Sequence, residues 1–588
     1  MYVIKDWHGS HTDVSQYFIA RWAQLCDSSE SITRRSRTTN GYILLDEIYH
    51  ACQLAQRRRQ NTRRLKAVLT EAADDRIRTS VPNDPVLRVG FPTLIDSVKR
   101  WSELDLEPAG VERIRRESLT AVATLEGEYR ARLQTELLAL DLRGERFDTL
   151  ATRIEEILGA LLPQLLYEGH SLAFLQLPAR QLWKRNLDDE TIPHVLKFVS
   201  DEHRTYACFL PTGGDEPLKA QLRATDESLT ANDFFEPPDD LKGWSFEVAG
   251  RDPYTALRES VTTASRRARV TAADVGDDLL VPVWKGTYYK TSQGKFVAYD
   301  LDEHRDPVIP GGRADTLRTT LEKVGESLES LSDEALDDLE EPLHFYNLAR
   351  SVTSLENSYT LLWTALESLT GLRGDKADIV AVQDVLGSAL SLGAVGRRVV
   401  STVSRIRSTG KLRGWRYLGP SSSEYEPAGL VDWIVWMVDA STKDSPNDPY
   451  EVLNEDPLLC RQWREINEGW AMLGDLRTVC ADSERATRYH LDRIYLHRNL
   501  VIHSGTFGHP AGNLWVHFEW YVGKLLALAV IMSRRPLATG GDLRDQVAGT
   551  LIGQAEATLE YLKRHQQDPI THERLHLSGL TRFPAVCF

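Results

Sequence analysis

Apolar residues recur at three- and four-residue spacing through most of this chain, and that period constrains the fold more than any other feature. In "LENSYTLLWTALESL" the residues Leu355, Tyr359, Leu362, Trp363, Leu366 and Leu369 fall at offsets 0, 4, 7, 8, 11 and 14. In "NLWVHFEWYVGKLLALAVIM" a second stripe runs through Leu514, Phe518, Tyr521, Leu525, Leu528 and Met532. Each stripe gives its helix one apolar face that another element must cover. The same spacing marks "LAQRRRQNTRRLKAVLTEAADDRIR" and "GVERIRRESLTAVATLEGEYRARLQTELLALDL" towards the N-terminus. A mainly α protein is the expectation.

At 588 residues the chain exceeds one core, and about 150 residues per domain suggests three or four units. Residues 1–165 read as a helical, arginine-rich region. There Arg57, Arg58, Arg59, Arg63, Arg64 and Lys66 form either a phosphate-binding cluster or a solvated basic helix face. Residues 166–310 change texture. "TYACFLPTGG", "GWSFEVAG", "DDLLVPVWKGTYYK" and "GKFVAYDL" are short β-branched and aromatic runs, the last two joined by the turn "TSQG". With the helix "YTALRESVTTASRRA" they predict a mixed α/β domain, whose residues do not state a function and for which a sensor or regulatory role is one expectation. It carries no Gly-rich phosphate loop and no G-x-S-x-G elbow. An acidic linker is expected over 311–341, its run "DEALDDLEE" a solvated helix face or connector rather than a metal site. A helical domain follows over 342–540 with an insertion at 409–455, then a C-terminal helix and tail over 541–588.

Six scattered cysteines without a C-x-x-C pair predict buried or incidental thiols, not a disulfide framework or zinc knuckle. The N-terminus lacks a signal-peptide pattern, and no run reaches the ~20 apolar residues of a membrane span. A cytoplasmic protein without membrane attachment is expected. The net charge of −15 excludes a chain that coats nucleic acid non-specifically, so any such contact must be a local basic patch.

One helix breaks its own pattern. In "ERATRYHLDRIYLHRNLVIHSG" the positions Leu491, Ile494, Tyr495, Arg498 and Ile502 lie at offsets 0, 3, 4, 7 and 11, so Arg498 shares the apolar face. A guanidinium there is costly unless a carboxylate or phosphate pairs with it. Tyr495, Asn499 and His503 repeat every fourth residue as an adjoining stripe, and Gly505 is placed to close the helix. Arg, Asn and His together suit RNA cleavage. His serves as acid or base near neutral pH, Arg forks onto phosphate, and an amide orients either partner. The scheme requires no metal and no cofactor. Residues five apart on a helix diverge by roughly 140°, so a site combining Arg498 and His503 is natural across a two-fold dimer. A second reading pairs Arg498 with a buried carboxylate such as Glu367 and leaves His503 as a helix-end residue. His490 and His497, seven apart without a third ligand, read as structural or exposed.

R-N-x-x-x-H at a helix end, followed by a loop and a long amphipathic helix, resembles the HEPN superfamily. "LARSVTSLENSYTLLWTALESLTG" resembles the opening helix of HEPN domains in bacterial abortive-infection and antiphage proteins. The resemblance covers about 200 of the 588 residues. It implies a dimerising helical bundle and metal-independent endoribonuclease activity leaving a 2′,3′-cyclic phosphate. Arg498, Asn499 and His503 would be catalytic, with Tyr495 and Glu367 supporting them. It also implies a toxin or antiphage role, with a trigger or antitoxin bound by the N-terminal region. Gly505 stands where HEPN toxins controlled by a nucleotidyltransferase carry Tyr, so control by tyrosine modification is not expected. The alternative is a non-catalytic HEPN module for dimerisation, or for nucleotide or partner binding, in a defence or regulatory assembly. At the entry to the insertion, Arg405, Arg407, Lys411, Arg413 and Arg416 interleave with Trp415 and Tyr417. They form either a contact for single-stranded or loop RNA or an aromatic-anchored surface loop.

Overall fold

A computed structural model describes residues 11–27, 38–57, 62–142, 145–182, 190–199, 204–211, 243–275, 287–290, 296–299, 315–352, 354–370, 378–412, 429–439, 456–504, 511–534 and 542–580. The protein is mainly α. Among the described residues ten α-helices come first: α1 (His11–Cys26), α2 (Gly41–Arg57), α3 (Thr62–Ala73), α4 (Pro85–Gly90), α5 (Pro92–Glu103), α6 (Pro108–Leu125), α7 (Glu128–Leu138), α8 (Phe147–Tyr167), α9 (Leu172–Leu182) and α10 (Thr191–Val199). Strands β1 (Arg204–Pro211) and β2 (Gly243–Gly250), helix α11 (Pro253–Val275), and strands β3 (Thr287–Lys290) and β4 (Phe296–Tyr299) follow. They form an antiparallel sheet in the order β2-β1-β3-β4.

The remaining helices are α12 (Thr316–Val324), α13 (Asp333–Ser351), α14 (Leu355–Thr370), α15 (Asp378–Leu392), α16 (Ala394–Leu412), α17 (Leu430–Val438), α18 (Pro457–Asn467), α19 (Leu473–Ser504), α20 (Ala511–Ser533), α21 (Leu543–Arg564) and α22 (His572–Ser578). Local chemistry sets several boundaries. Asn40 accepts from the Ile43 amide at 2.8 Å to start α2. Asp84 accepts from Val86 and Leu87 to start α4, and Asp456 caps α18 ahead of Pro457.

The helices share two principal cores. The first joins Phe18, Trp22, Leu45 and Leu161 of the N-terminal helices to Val399, Ile434, Trp463 and Leu476, and to Leu562 and Leu575. The second gathers Leu339, Trp363, Leu386, Leu491, Ile494, Trp515, Phe518 and Leu551. A small third core lies between the sheet and α11, with Cys208, Leu210, Phe246 and Leu257. Chain order and core membership therefore diverge. Helices α16 to α18 lie inside the segment expected as one helical domain, yet their apolar faces complete the N-terminal core. Helices α9 and α10 likewise join that core rather than the sheet.

Three expectations need correction. The stretch 311–341 is no simple linker over its described residues, because Leu317 and Leu321 of α12 and Ala335 and Leu339 of α13 are buried in the second core. The acidic run of α13 does present Asp333, Glu334, Asp337, Glu340 and Glu341 to solvent. The insertion 409–455 contains an ordered apolar helix, α17, while 413–428 and 440–455 lie outside the described residues. Helix α20 is long and apolar enough to cross a membrane by length and composition, and 89% of that window is buried inside the second core. The five described cysteines, Cys26, Cys52, Cys208, Cys460 and Cys480, are all buried and free of disulfides.

Candidate functional site

Helix α19 spans 32 residues, roughly 48 Å at 1.5 Å per residue. Its early turns bury Leu473, Leu476 and Cys480 in the first core, and its later turns bury Leu491 and Ile494 in the second. The end that carries the Arg–Asn–His pattern is held by α14 and α20. Tyr359 donates its hydroxyl to the Ile494 carbonyl at 3.2 Å. The Tyr495 ring lies 5.1 Å from Trp363, which lies 5.9 Å from Phe518. The last turns of α19 are thus fixed by aromatic packing before the chain reaches Arg498.

Arg498 and Asn499 are both half-buried. Arg498 Nη1 donates to Asn499 Oδ1 at 3.0 Å. Its Nε is buried with no hydrogen-bond partner, and among the described residues no carboxylate pairs with it. Glu367 accepts from the Trp363 indole. It thereby braces the ring against which Tyr495 packs, and does not form the expected pair with Arg498. A sheltered guanidinium with an unsatisfied donor, oriented by a neighbouring amide, is suited to an anion carrying several acceptor oxygens. His503 lies in the last turn of α19, one turn beyond Asn499 on the same stripe; its side chain is outside the described residues, as is Gly505.

The opposite face of α19 holds a charged cluster that sequence reasoning missed. Arg493 has 4% of its side chain exposed and forks onto Glu47 of α2 at 2.6 and 2.9 Å. It also donates to Glu71 of α3 at 2.9 Å. Burial pushes Glu47 up, but the Arg493 guanidinium outweighs it and holds the carboxyl below its ordinary value. Glu71 receives the weaker share of the same cation, so burial raises it to about 7. Arg64, desolvated beside Glu47, falls to about 9, and its Nε and Nη1 are buried without hydrogen-bond partners. His497 is buried next to this cluster, and burial lowers it to about 4, so it is neutral near pH 7. A signal was present in α3. Arg64 and Glu71 flank the stripe of Leu65, Val68, Leu69 and Ala72, where opposite charges beside an apolar face call for buried partners.

The other sequence candidates divide. Arg405 is clamped by both Asp456 oxygens at 2.7 and 2.9 Å, so it anchors the start of α18 and is not free to bind phosphate. Arg407 is exposed, with its guanidinium 5.7 Å from the Trp433 ring. The side chain of Lys411, and Arg413, Trp415, Arg416 and Tyr417 altogether, lie outside the described residues. Of the basic run near α3, the side chain of Arg57, and Arg58 and Arg59 altogether, lie outside the described residues, and its described part is not one solvated face. Arg63 is exposed, Lys66 donates to the Ser102 carbonyl, and Arg64 turns inward. His490 is buried and contacts the Tyr521 hydroxyl at 2.7 Å, so it and His497 are structural rather than exposed. Among known proteins, no family model, curated sequence or solved structure matches this chain.

Proposed function

We propose that this protein is a metal-independent endoribonuclease of the HEPN type, acting in an antiphage, abortive-infection or toxin system. The observation that carries the reading is Arg498. It is a half-buried guanidinium with an orphaned Nε and no carboxylate partner among the described residues, set beside Asn499 one turn before His503. Its substrate is RNA in single-stranded or loop regions, and the active form is a homodimer. His503 takes the proton of the 2′-hydroxyl, whose oxygen attacks the adjacent phosphorus. The bond to the departing 5′-oxygen breaks, and the partner's His503 supplies that oxygen with a proton. Arg498 forks onto the phosphate as charge builds on its oxygens, and Asn499 keeps the fork aligned. The products are a 2′,3′-cyclic phosphate and a 5′-hydroxyl. The N-terminal region receives the trigger or antitoxin, and the site of action is the cytoplasm.

The test is cleavage of a mixed RNA pool by the full chain in EDTA, with end-group analysis. Wild type is expected to leave 2′,3′-cyclic phosphate ends. Arg498→Ala and His503→Ala are each expected to lower the rate by about 100-fold or more, with unchanged circular dichroism. Wild-type protein inert towards every RNA offered, or variants that cleave at the wild-type rate, would overturn the nuclease and leave a dimerising, non-catalytic module.

A further inference from the structure

A cleft of about 360 Å³ opens between α1, the turn leading into α4, α8 and α18, away from the end of α19. Its volume falls in the range of small-molecule sites. Two arginines form the floor. Arg21 has 15% and Arg461 21% of the side chain exposed, and the Nε of each is buried without a hydrogen-bond partner. Arg76, Arg78 and Arg88 stand at the rim and are exposed. Five arginines thus line one cleft of a chain whose net charge is −15.

The carboxylates present do not use up those donors. Asp84 is engaged by the amides of Gly41, Val86 and Leu87 and by the Tyr129 hydroxyl, which ties α2, α4 and α7 together. Glu155 accepts from Tyr17 at 2.7 Å but stands 3.8 Å from Arg21 Nε and 3.5 Å from Arg78. Those separations are long for charge-assisted hydrogen bonds. Arg461 donates to the Thr152 hydroxyl at 3.1 Å and stands 3.6 Å from Glu465 and 3.9 Å from Asp148, and Arg21 donates to Gln24 at 2.6 Å. Of the cleft's carboxylate pairs, Arg88 and Glu156 meet most closely, at 2.8 Å. The wall bears Asn83, Thr79 and Thr152 as further polar groups. Gly159, in the middle of α8, completes the floor, and a Cβ built there meets nothing within 4 Å. A glycine inside a helix weakens it, and here its missing side chain leaves the cleft open.

We propose that this cleft binds a small phosphorylated, hydroxyl-bearing molecule of the nucleotide or sugar-phosphate class. Its phosphate sits on the arginines, where several planar forks match a dianion better than one carboxylate would need. Its hydroxyl or amino donors face Glu155 and Glu156, which can accept further hydrogen bonds beside those from Tyr17 and Arg88. The site is independent of the ribonuclease reading, since it contains none of the residues at the end of α19.

Calorimetry on the full chain tests it with inorganic phosphate, AMP and glucose 6-phosphate, and with adenosine and glucose as unphosphorylated controls. AMP or glucose 6-phosphate is expected to bind saturably, with inorganic phosphate competing weakly and both controls inert. Whichever of the two binds assigns the nucleotide or the sugar-phosphate class. Gly159→Leu adds a side chain whose Cβ meets nothing within 4 Å and whose branched end projects into the cleft, so it should abolish binding without lowering the unliganded melting temperature. Arg78→Ala, at an exposed rim position, should weaken binding about tenfold. Absence of saturable binding by every phosphorylated probe at millimolar concentration overturns the proposal, as does undiminished binding by a folded Gly159→Leu protein.

Discussion

Arg493 lies between two glutamates, and the geometry divides its charge unequally: two contacts to Glu47 and one to Glu71. The consequence is a carboxyl that titrates near neutrality inside the protein. Glu71 has an ordinary value of 4.5 and a folded value of about 7. The stability it contributes is therefore fully present below pH 4.5 and is lost as pH rises through 7. Glu71→Gln mimics the protonated form. Its urea-unfolding stability should match wild type near pH 5 and exceed it by roughly 2–3 kcal/mol at pH 8. A difference that stays flat with pH would show that Glu71 titrates normally. His497 acts in the opposite sense. Its folded value of about 4 lies below the ordinary 6.5, so its contribution holds above pH 6.5 and is lost as the solution is acidified towards 4. The pairing itself was not legible in the sequence, because Arg493 and Glu47 are 446 positions apart, and only the charges flanking the α3 stripe hinted at a buried partner. Arg498 was legible because its conflict is local: a cation on the apolar face of its own helix.

Helices α12 and α20 show how one element is seated on another. Glu519 of α20 is fully buried and accepts from the Thr316 amide at 2.8 Å, the Thr316 hydroxyl at 2.7 Å and the Tyr346 hydroxyl at 2.5 Å. One turn later Gly523 lets the start of α12 approach. A Cβ there would lie 2.8 Å from Thr316 Cβ and 2.9 Å from the Leu317 amide nitrogen, which is backbone and cannot rotate away. Gly523→Val should therefore destabilise the protein by about 1–3 kcal/mol despite the helix propensity it gains. A thermal melt checks this, and an unchanged melting temperature would mean that α12 shifts without cost. The period of apolar residues revealed α20 itself, but Glu519 and Gly523 look like interruptions of that stripe until α12 is seen to cross there. The stretch containing α12 reads as a linker for a related reason. Its composition is polar on average, and within α12 just Leu317, Thr320 and Leu321 are buried, followed by Ala335 and Leu339 of α13.

At the scale of the whole molecule, the mainly α class followed from helical periodicity, whereas the division into cores did not. Apolar stripes state that a face must be covered and say nothing of which face covers it. The stripes of α16 to α18 accordingly meet the N-terminal helices, hundreds of positions away, rather than their sequence neighbours. Helix α19 belongs to both large cores, with Leu476 in one and Leu491 in the other, and no turn separates the two halves. A rigid rod shared in this way couples the melting of the two cores, since loss of either removes half the packing of the helix that supports the other. Trp463 reports on the first core, and Trp363 and Trp515 on the second. Single-tryptophan variants retaining each reporter should give superimposable urea transitions, matching far-ultraviolet circular dichroism. Two separated midpoints would show that the rod breaks. If they coincide, the two large cores unfold as one cooperative unit, and any change that loosens the N-terminal helices also lowers the stability of the helix that carries Arg498.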